Sequence, residues 1–476
     1  MEQLQVEARF RRRAVKVDEA MRLVVEAAEP GRRELVPLRE ASGRRLAEPL
    51  VATTDWPPFA RSGLDGFAVR SADTAPASPG SPVTLRVAEA VAAGSLAAAP
   101  LAPGTAVRIM TGGAVPQGAD AVVMLEQTAD ALLDGQPAVR VKHAAEPGQN
   151  IAPRGEEFRC GSVLAEPGAR LRPGHVALLG TFGYADVPVY AHPRVAVLAT
   201  GAELLPVEAP LAPGRIRDSN SAMVAALVEQ YGGVPLLLGR VPDEPEAAAR
   251  AITEALAQSD IIITTGGVSV GDYDVMASLL HRLQPPRDAA AGSEEAAPSQ
   301  QAPSPEVPRT GFASEAPPPS TAAARQPAPP PSAAAELPPG SRPLFNKAAM
   351  RPGSPTSAAV LGGKLLLALS GNPGACFVGF ELFAKPAIQR MQGAAAADAL
   401  PKQATAKLAA GFDKGSPHER FVRTRLYTRE GVLYADPLAF GKSSMMASIP
   451  DADGLIRIKA GPEGAAAGTV VDVILL

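Results

Sequence analysis

The chain reads as a multidomain α/β protein: an α/β domain built on a parallel sheet, β-rich segments before it and a small β-barrel after it. Three observations predict this. From Arg194 onward, buried strand patterns alternate with helical ones. Residues 51–150 and the region from about 401 show short alternating strands broken by Gly and Pro. A Pro/Ala-rich stretch, 285–340, interrupts the α/β part. Strands alternating with helices place a parallel sheet between two helical layers.

The 476 residues exceed one core and imply roughly two to four domains. Apolar content of 46% with 20% charged residues is globular. A formal charge of −3 gives no general pull toward nucleic acid or anionic membrane, and the Arg11-Arg12-Arg13 cluster is short and followed by acids. No apolar leader or window of about 18 uninterrupted apolar residues appears, so neither a signal peptide nor a membrane span is expected. Cys160 and Cys376 are the only cysteines and read as reduced thiols of a cytoplasmic protein. No Cys/His cluster has zinc-ligand spacing, and the five histidines form no triad motif.

Taken in order, VDEAMRLVVEAA (17–28) is an amphipathic helix with Asp18 or Glu19 near its start. Residues 1–50 with 151–190 form a linking domain, into which the β-rich domain 51–150 is inserted. RVAVLAT (194–200) is a buried strand. Ser219 to Tyr231 is a helix ended by Gly232-Gly233, VPLLL (234–238) a strand, and Pro245 to Gln258 a helix with Pro in its first turn. DIIITT (260–265) and KLLLAL (364–369) are strands, and Ala375 to Met391 a helix. The α/β domain therefore takes 191–284 and 341–400. The 15 Pro and 15 Ala of residues 285–340 leave too little apolar surface for a core, so this insertion is expected to be disordered. Alternation in RFVRTRLYT, GVLYADPL, GLIRIKA and TVVDVILL makes 401–476 a barrel.

The loops after these strands carry the chemistry. TTGGVSVGDYD (264–274) follows a buried strand and precedes a helical pattern, Val275 to Leu283. Thr265, Gly266, Gly267, Ser269 and Gly271 would line an anion cradle, because bare backbone N–H groups and a helix N-terminus favour negative charge. Asp272 and Asp274 in the same loop repel anions, so they point to a divalent cation or to proton transfer. Glu203 follows the first strand, Asp243-Glu244 the second, and Ser370-Gly371-Asn372-Pro373 the last. Open α/β sheets bind ligands at that carboxyl edge, so these loops should converge.

At these residues the chain resembles the MoeA family, the molybdopterin molybdenumtransferases, to which the gephyrin C-terminal domain is related. The matching segments include SGLDGFAVR (62–70), RIMTGGAVPQGADAVVMLEQ (108–127), NIAPRGEEFRCGSVL (150–164), PRVAVLATGAELL (193–205), GRIRDSN (214–220), VPDEPE (241–246), TTGGVSVGDYD (264–274), KAAMRPGSP (347–355) and LSGNP (369–373). The resemblance implies a MogA/MoaB-like fold for the α/β domain, which would bind molybdopterin. It implies conversion of adenylylated molybdopterin and molybdate into molybdenum cofactor and AMP, with Mg²⁺. It further implies a four-domain homodimer with sites between subunits, working beside the molybdopterin adenylyltransferase or other proteins of that pathway.

By the same resemblance, Asp65, Glu203, Asp243, Asp274, Lys347 and Arg351 are the catalytic candidates. Glu203, Asp243 and Asp274 would hold the metal. Thr265, Gly266, Gly267, Ser269, Gly271, Gly371, Asn372 and Pro373 would hold the cofactor. Lys347 and Arg351 suit phosphate or molybdate, the second as a bidentate fork where the family commonly has Lys. Glu157, Ala202, Arg351, Ser354 and Ser370 depart from the family pattern. Those departures keep open a non-catalytic molybdopterin-binding scaffold. The α/β half alone would fit a Mg²⁺-dependent nucleotide hydrolase, which the β-rich flanks disfavour. Cys376 and Trp56 read as packing residues.

Overall fold

The computed structural model describes residues 13–241, 245–268, 338–412, 415–438 and 445–476. The expectations for Asp243, Glu244, Ser269, Gly271, Asp272, Asp274, the helix Val275 to Leu283 and nearly all of the 285–340 insertion lie outside them. The chain forms two units. One comprises Met1–Glu29, Pro193–Gln389 and Asp398–Leu476, the other Pro30–His192 and Arg390–Ala397.

In the first unit, helix α1 (Val17–Ala27) buries Val17, Ala20, Met21, Val24 and Val25 on one face. The α/β part contains β1 (Arg194–Ala199), α2 (Asn220–Gln230), β2 (Val234–Arg240), α3 (Pro245–Gln258) and β3 (Ile261–Thr265). It continues with β4 (Arg342–Phe345), β5 (Ser357–Leu361), β6 (Lys364–Leu369) and α4 (Pro373–Gly379). The sheet order is β2-β1-β3-β6-β5-β4. The first four strands are parallel, as the alternating pattern predicts. The parallel sheet expected from the alternating pattern is present and is extended by two strands: β5 runs antiparallel to β6 and β4 antiparallel to β5, so the sheet as a whole is mixed. Gly362-Gly363, with φ of +54° and +83°, form the turn that brings β6 back against β5. Two successive residues with positive φ turn a chain straight back on itself.

Every residue of β3 and β5 is buried, and only the first residue of β1 and of β6 is not. This explains why β1, β3 and β6 read as continuous apolar runs. Leu198, Ile262 and Leu366 pack against Ala248, Ile252 and Ala255 of α3. The last helix runs from Pro373 to Met391 through a π-helical segment at Phe380–Ala384. There the buried Glu381 accepts from Lys385 Nζ and from the Tyr231 hydroxyl, both at 2.9 Å, tying this helix to the end of α2.

Five strands complete this unit: β7 (Gln403–Leu408), β8 (Glu419–Arg429), β9 (Val432–Pro437), β10 (Gly454–Ile458) and β11 (Val470–Leu475). They pair as β8-β9-β7-β11-β10, and β10 returns to β8, which closes the barrel. Leu408, Val422, Ile456 and Val473 fill it.

The second unit holds a six-stranded sheet within residues 66–141, with Phe67, Leu85, Val123 and Val139 in its core. A further cluster, Leu46, Leu171, Leu179, Val187 and Val189, joins segments before and after that sheet. Here Arg33–Pro37 pairs with Asp186–Tyr190.

Candidate functional site

The carboxyl ends of β1, β3 and β6 are tied to one another backbone to backbone. Thr200, just past β1, donates its amide to the Thr265 carbonyl over 2.8 Å and its hydroxyl to the same oxygen over 3.1 Å. Gly266 donates its amide to the Leu369 carbonyl over 3.0 Å. These bonds stack the three loops so closely that side chains are excluded. A Cβ on Gly266 would lie 2.5 Å from the Thr200 carbonyl oxygen, and one on Gly267 2.6 Å from the Thr200 hydroxyl. Gly266 and Gly267 also have φ of +86° and +62°, a region that L side chains rarely adopt. A Cβ on Gly371 would lie 3.2 Å from Gly266 Cα. The residues Thr265, Gly266, Gly267 and Gly371, expected to converge from sequence, are thus neighbours at one sheet edge.

Asn372 caps α4, accepting the Ala375 amide at its Oδ1 over 3.3 Å, with Pro373 at the first helical position. Within the described contacts both residues shape the loop. Glu203 is exposed after β1, its carboxylate folded back against Gly201, where a Cβ would lie 2.6 Å from Oε2. Arg215 reaches across to the Ala202 carbonyl. Among the described residues no group of three His, Cys, Asp or Glu side chains could hold a metal. Glu203 offers hard oxygen donors of the kind Mg²⁺ takes. Its two expected partners, Asp243 and Asp274, lie outside the described residues.

The last residues of GRIRDSN show no role in the sequence alone. The structure brings them to the same edge. Asn220, at the start of α2, donates from Nδ2 to the Gly371 carbonyl over 2.8 Å. Asp218 accepts the Ser221 amide at 3.1 Å and its hydroxyl at 2.5 Å. Cys376 is fully buried in α4, which pushes its thiol up to about 12, with the Asp218 carboxylate adding to the rise. It is a packing residue, as its position suggested.

The cations come from the loop between β4 and β5. Ala348 and Met350 are buried while Lys347, Ala349 and Arg351 are not, so the period of two turns both cations out of the core. Ser354 uses its hydroxyl to hold the Ala348 carbonyl at 3.0 Å. A Cβ on Gly353 would lie 3.4 Å from the Ala375 carbonyl, which sets this loop against the first turn of α4. Arg423 of β8 reaches that turn from the barrel. It is 3% exposed, and donates to the Gly374 carbonyl at 3.0 Å, the Met445 carbonyl at 3.0 Å and the Ser448 hydroxyl at 2.8 Å. Burial lowers its pKa from the ordinary arginine value.

In the second unit, Asp65 precedes the strand Gly66–Val69. Its Oδ1 accepts the Thr111 amide at 2.6 Å and the Thr111 hydroxyl at 2.7 Å, and these bonds hold the carboxyl below the usual range. Thr111 lies in RIMTGGAVP, and only the fold shows what its hydroxyl meets. Gly66 is required by close approach, since a Cβ there would lie 2.1 Å from the Val123 carbonyl oxygen. Glu157 forms an exposed ion pair with Arg61 at 3.3 Å, and Arg61 lies 5.8 Å over the Trp56 ring.

Known proteins match this chain along nearly its whole length. Family models match at residues 15–183 (MoeA N-terminal region, domain I and II), 196–289 (probable molybdopterin binding domain) and 405–476 (MoeA C-terminal region, domain IV). The molybdopterin molybdenumtransferase of Bacillus subtilis is 39% identical over 98% of this chain and 95% of its own length. That of Staphylococcus aureus is 36% identical over 98% and 96%. The crystal structure of a molybdopterin biosynthesis MoeA protein from Pyrococcus horikoshii is 28% identical, covers 98% of this chain and 100% of its own, and superposes with a TM-score of 0.72. With 39% identity sustained along nearly its whole length, the chain belongs to the MoeA family.

Proposed function

We propose that the chain is a molybdopterin molybdenumtransferase, which inserts molybdate into adenylylated molybdopterin and releases AMP and molybdenum cofactor. The observation that carries this reading is the edge where Gly266, Gly267 and Gly371 pack on one another and on Thr200; Lys347 and Arg351, turned out of the core, lie on a loop set against the first turn of α4, which follows Gly371. Its substrates are anions: a dithiolene phosphate, its AMP ester and an oxyanion. Glycine loops let phosphate oxygens come close to the backbone, and cations such as Lys347 and Arg351 suit the oxyanion.

Lys347 and Arg351 would hold molybdate, the second as a planar fork. Thr265, Gly266, Gly267, Ser269, Gly271 and the Gly371–Pro373 loop would hold the phosphate end of molybdopterin. Exchange of oxo ligands for two dithiolene sulfurs releases oxygen as water and consumes protons. Glu203, exposed on the same edge, is proposed to relay them, and Asp65 is proposed as a further functional carboxylate. Mg²⁺, if held by Glu203 with Asp243 and Asp274, would offset phosphate charge. Assembly as a homodimer is part of the proposal.

The test supplies purified protein with adenylylated molybdopterin, molybdate and Mg²⁺. AMP release and a product that activates an apo-molybdoenzyme are expected. Substrate that binds but persists unchanged would reject the transferase.

A further inference from the structure

The loop that carries Lys347 and Arg351 has strand neighbours on both sides. On one, Val15 bridges Ala348, donating its amide to the Lys347 carbonyl over 2.9 Å and accepting the Ala349 amide over 2.7 Å. On the other, Met350 and Arg351 run parallel to Glu419 and Arg420, the first residues of β8. These two neighbours come from opposite ends of the chain. Val15 leads into α1, and Glu419 opens a barrel strand.

One side chain joins them. Arg457 of β10 donates from Nη1 and Nη2 to the two carboxylate oxygens of Asp18, over 2.9 and 2.8 Å. Its Nε and Nη2 donate to Glu419 Oε1 over 3.1 and 2.8 Å, and Nη2 also reaches Oε2 at 3.0 Å. Asp18 lies in the first turn of α1, just after Val15. The contacts form a closed ring: basic loop, Val15, Asp18, Arg457, Glu419 and back to the loop. Only a guanidinium can serve two carboxylates in one plane; an ammonium is a point charge without that geometry.

We infer that Arg457 is a positioning residue for the oxyanion substrate, fixing the spacing of the two strands that flank the Lys347–Arg351 loop. The arm to Asp18 is solvent-exposed, with Asp18 at 65%, so its worth in stability is small. Its worth is geometric, because binding strength depends steeply on where the cations sit. The inference rests on the reading of Lys347 and Arg351 as the molybdate cradle.

The test is steady-state AMP release at varied molybdate. Arg457→Gln should raise the molybdate KM about fivefold, with kcat and the KM for adenylylated molybdopterin within about twofold of wild type. Loss of fold alone would lower kcat and leave both KM values in place. Arg457→Lys, which keeps the charge without the fork, should behave like Arg457→Gln, and Asp18→Glu should stay near wild type. Asp18→Asn combined with Arg457→Gln should be no worse than Arg457→Gln alone, because both act at one node.

A raised molybdate KM in Lys347→Ala beside an unchanged one in folded Arg457→Gln overturns the inference and leaves the site standing. An unchanged molybdate KM in Lys347→Ala as well rejects the cradle and the inference with it. If Arg457→Gln does not fold, Asp18→Asn decides by the same comparison.

Discussion

Asn220 and Gly371 are joined side chain to backbone, Nδ2 to carbonyl, at 2.8 Å. Asn220 is 8% exposed, and its Oδ1 has no hydrogen-bond partner in the described structure. The carbonyl fixes the amide's orientation, since only Nδ2 can donate to it. The bond ties the first turn of α2 to the loop after β6. Asn220→Asp should therefore be worse than Asn220→Ala. The first sets a carboxylate against a carbonyl, and the second removes one bond worth about 1 kcal/mol. Thermal denaturation should rank the two, and AMP release should fall in the same order.

Gly266→Ala tests the close stacking of the loops. Its φ of +86° and the 2.5 Å approach to the Thr200 carbonyl leave no room for a methyl group. Strain of about 1–3 kcal/mol is expected, with loss of substrate binding. Gly363→Ala is the control: its φ is +83°, but nothing lies within 4 Å of the added carbon. Titration calorimetry with molybdopterin should show weakened binding for the first variant and normal binding for the second.

Asp120 should govern an acid-dependent step in the second unit. Desolvation opposes its ionisation, but the hydroxyl and amide of Ser71, at 2.7 and 2.6 Å, outweigh it and lower the pKa from 3.8. A lowered native value means that the ionised form stabilises the fold. That contribution is complete above pH 3.8 and is lost as pH falls through the native value. Asp120→Asn should melt below wild type at neutral pH, and the gap should close below pH 3.8. A gap that persists in acid would assign the effect to shape rather than charge.

Much of the α/β part was legible because burial on both faces writes strands as unbroken apolar runs. The helix Pro245–Gln258 matches its expected bounds, and Asn220–Gln230 lies one residue inside its own at each end. The antiparallel pair β4 and β5 was missed. Short runs beside Pro carry little periodicity; the hairpin signal in Leu361-Gly362-Gly363-Lys364 belongs to β5 and β6, not to β4. The glycine loops were legible because glycine has few other reasons to recur at strand ends. Arg423 and Arg457 were not, because their partners are distant in sequence and a lone arginine shows no pattern. Asn220 sat inside a quoted motif, yet only the sheet order shows that Gly371 is what it meets.

The register of β3 against β6 has a consequence for synthesis. β3 lies between β1 and β6, and residues 266–363 separate it in sequence from the second of these partners. When β3 leaves the ribosome, β1 is already available, but its other edge has no strand to meet. Residues Ile261–Thr265 must wait with one row of amides and carbonyls open until Leu369 has been made. Such an open apolar edge is a template for intermolecular pairing. The step most prone to aggregation during folding of this chain should therefore be the delay between the third parallel strand and the fourth, a cost borne in folding rather than in native stability.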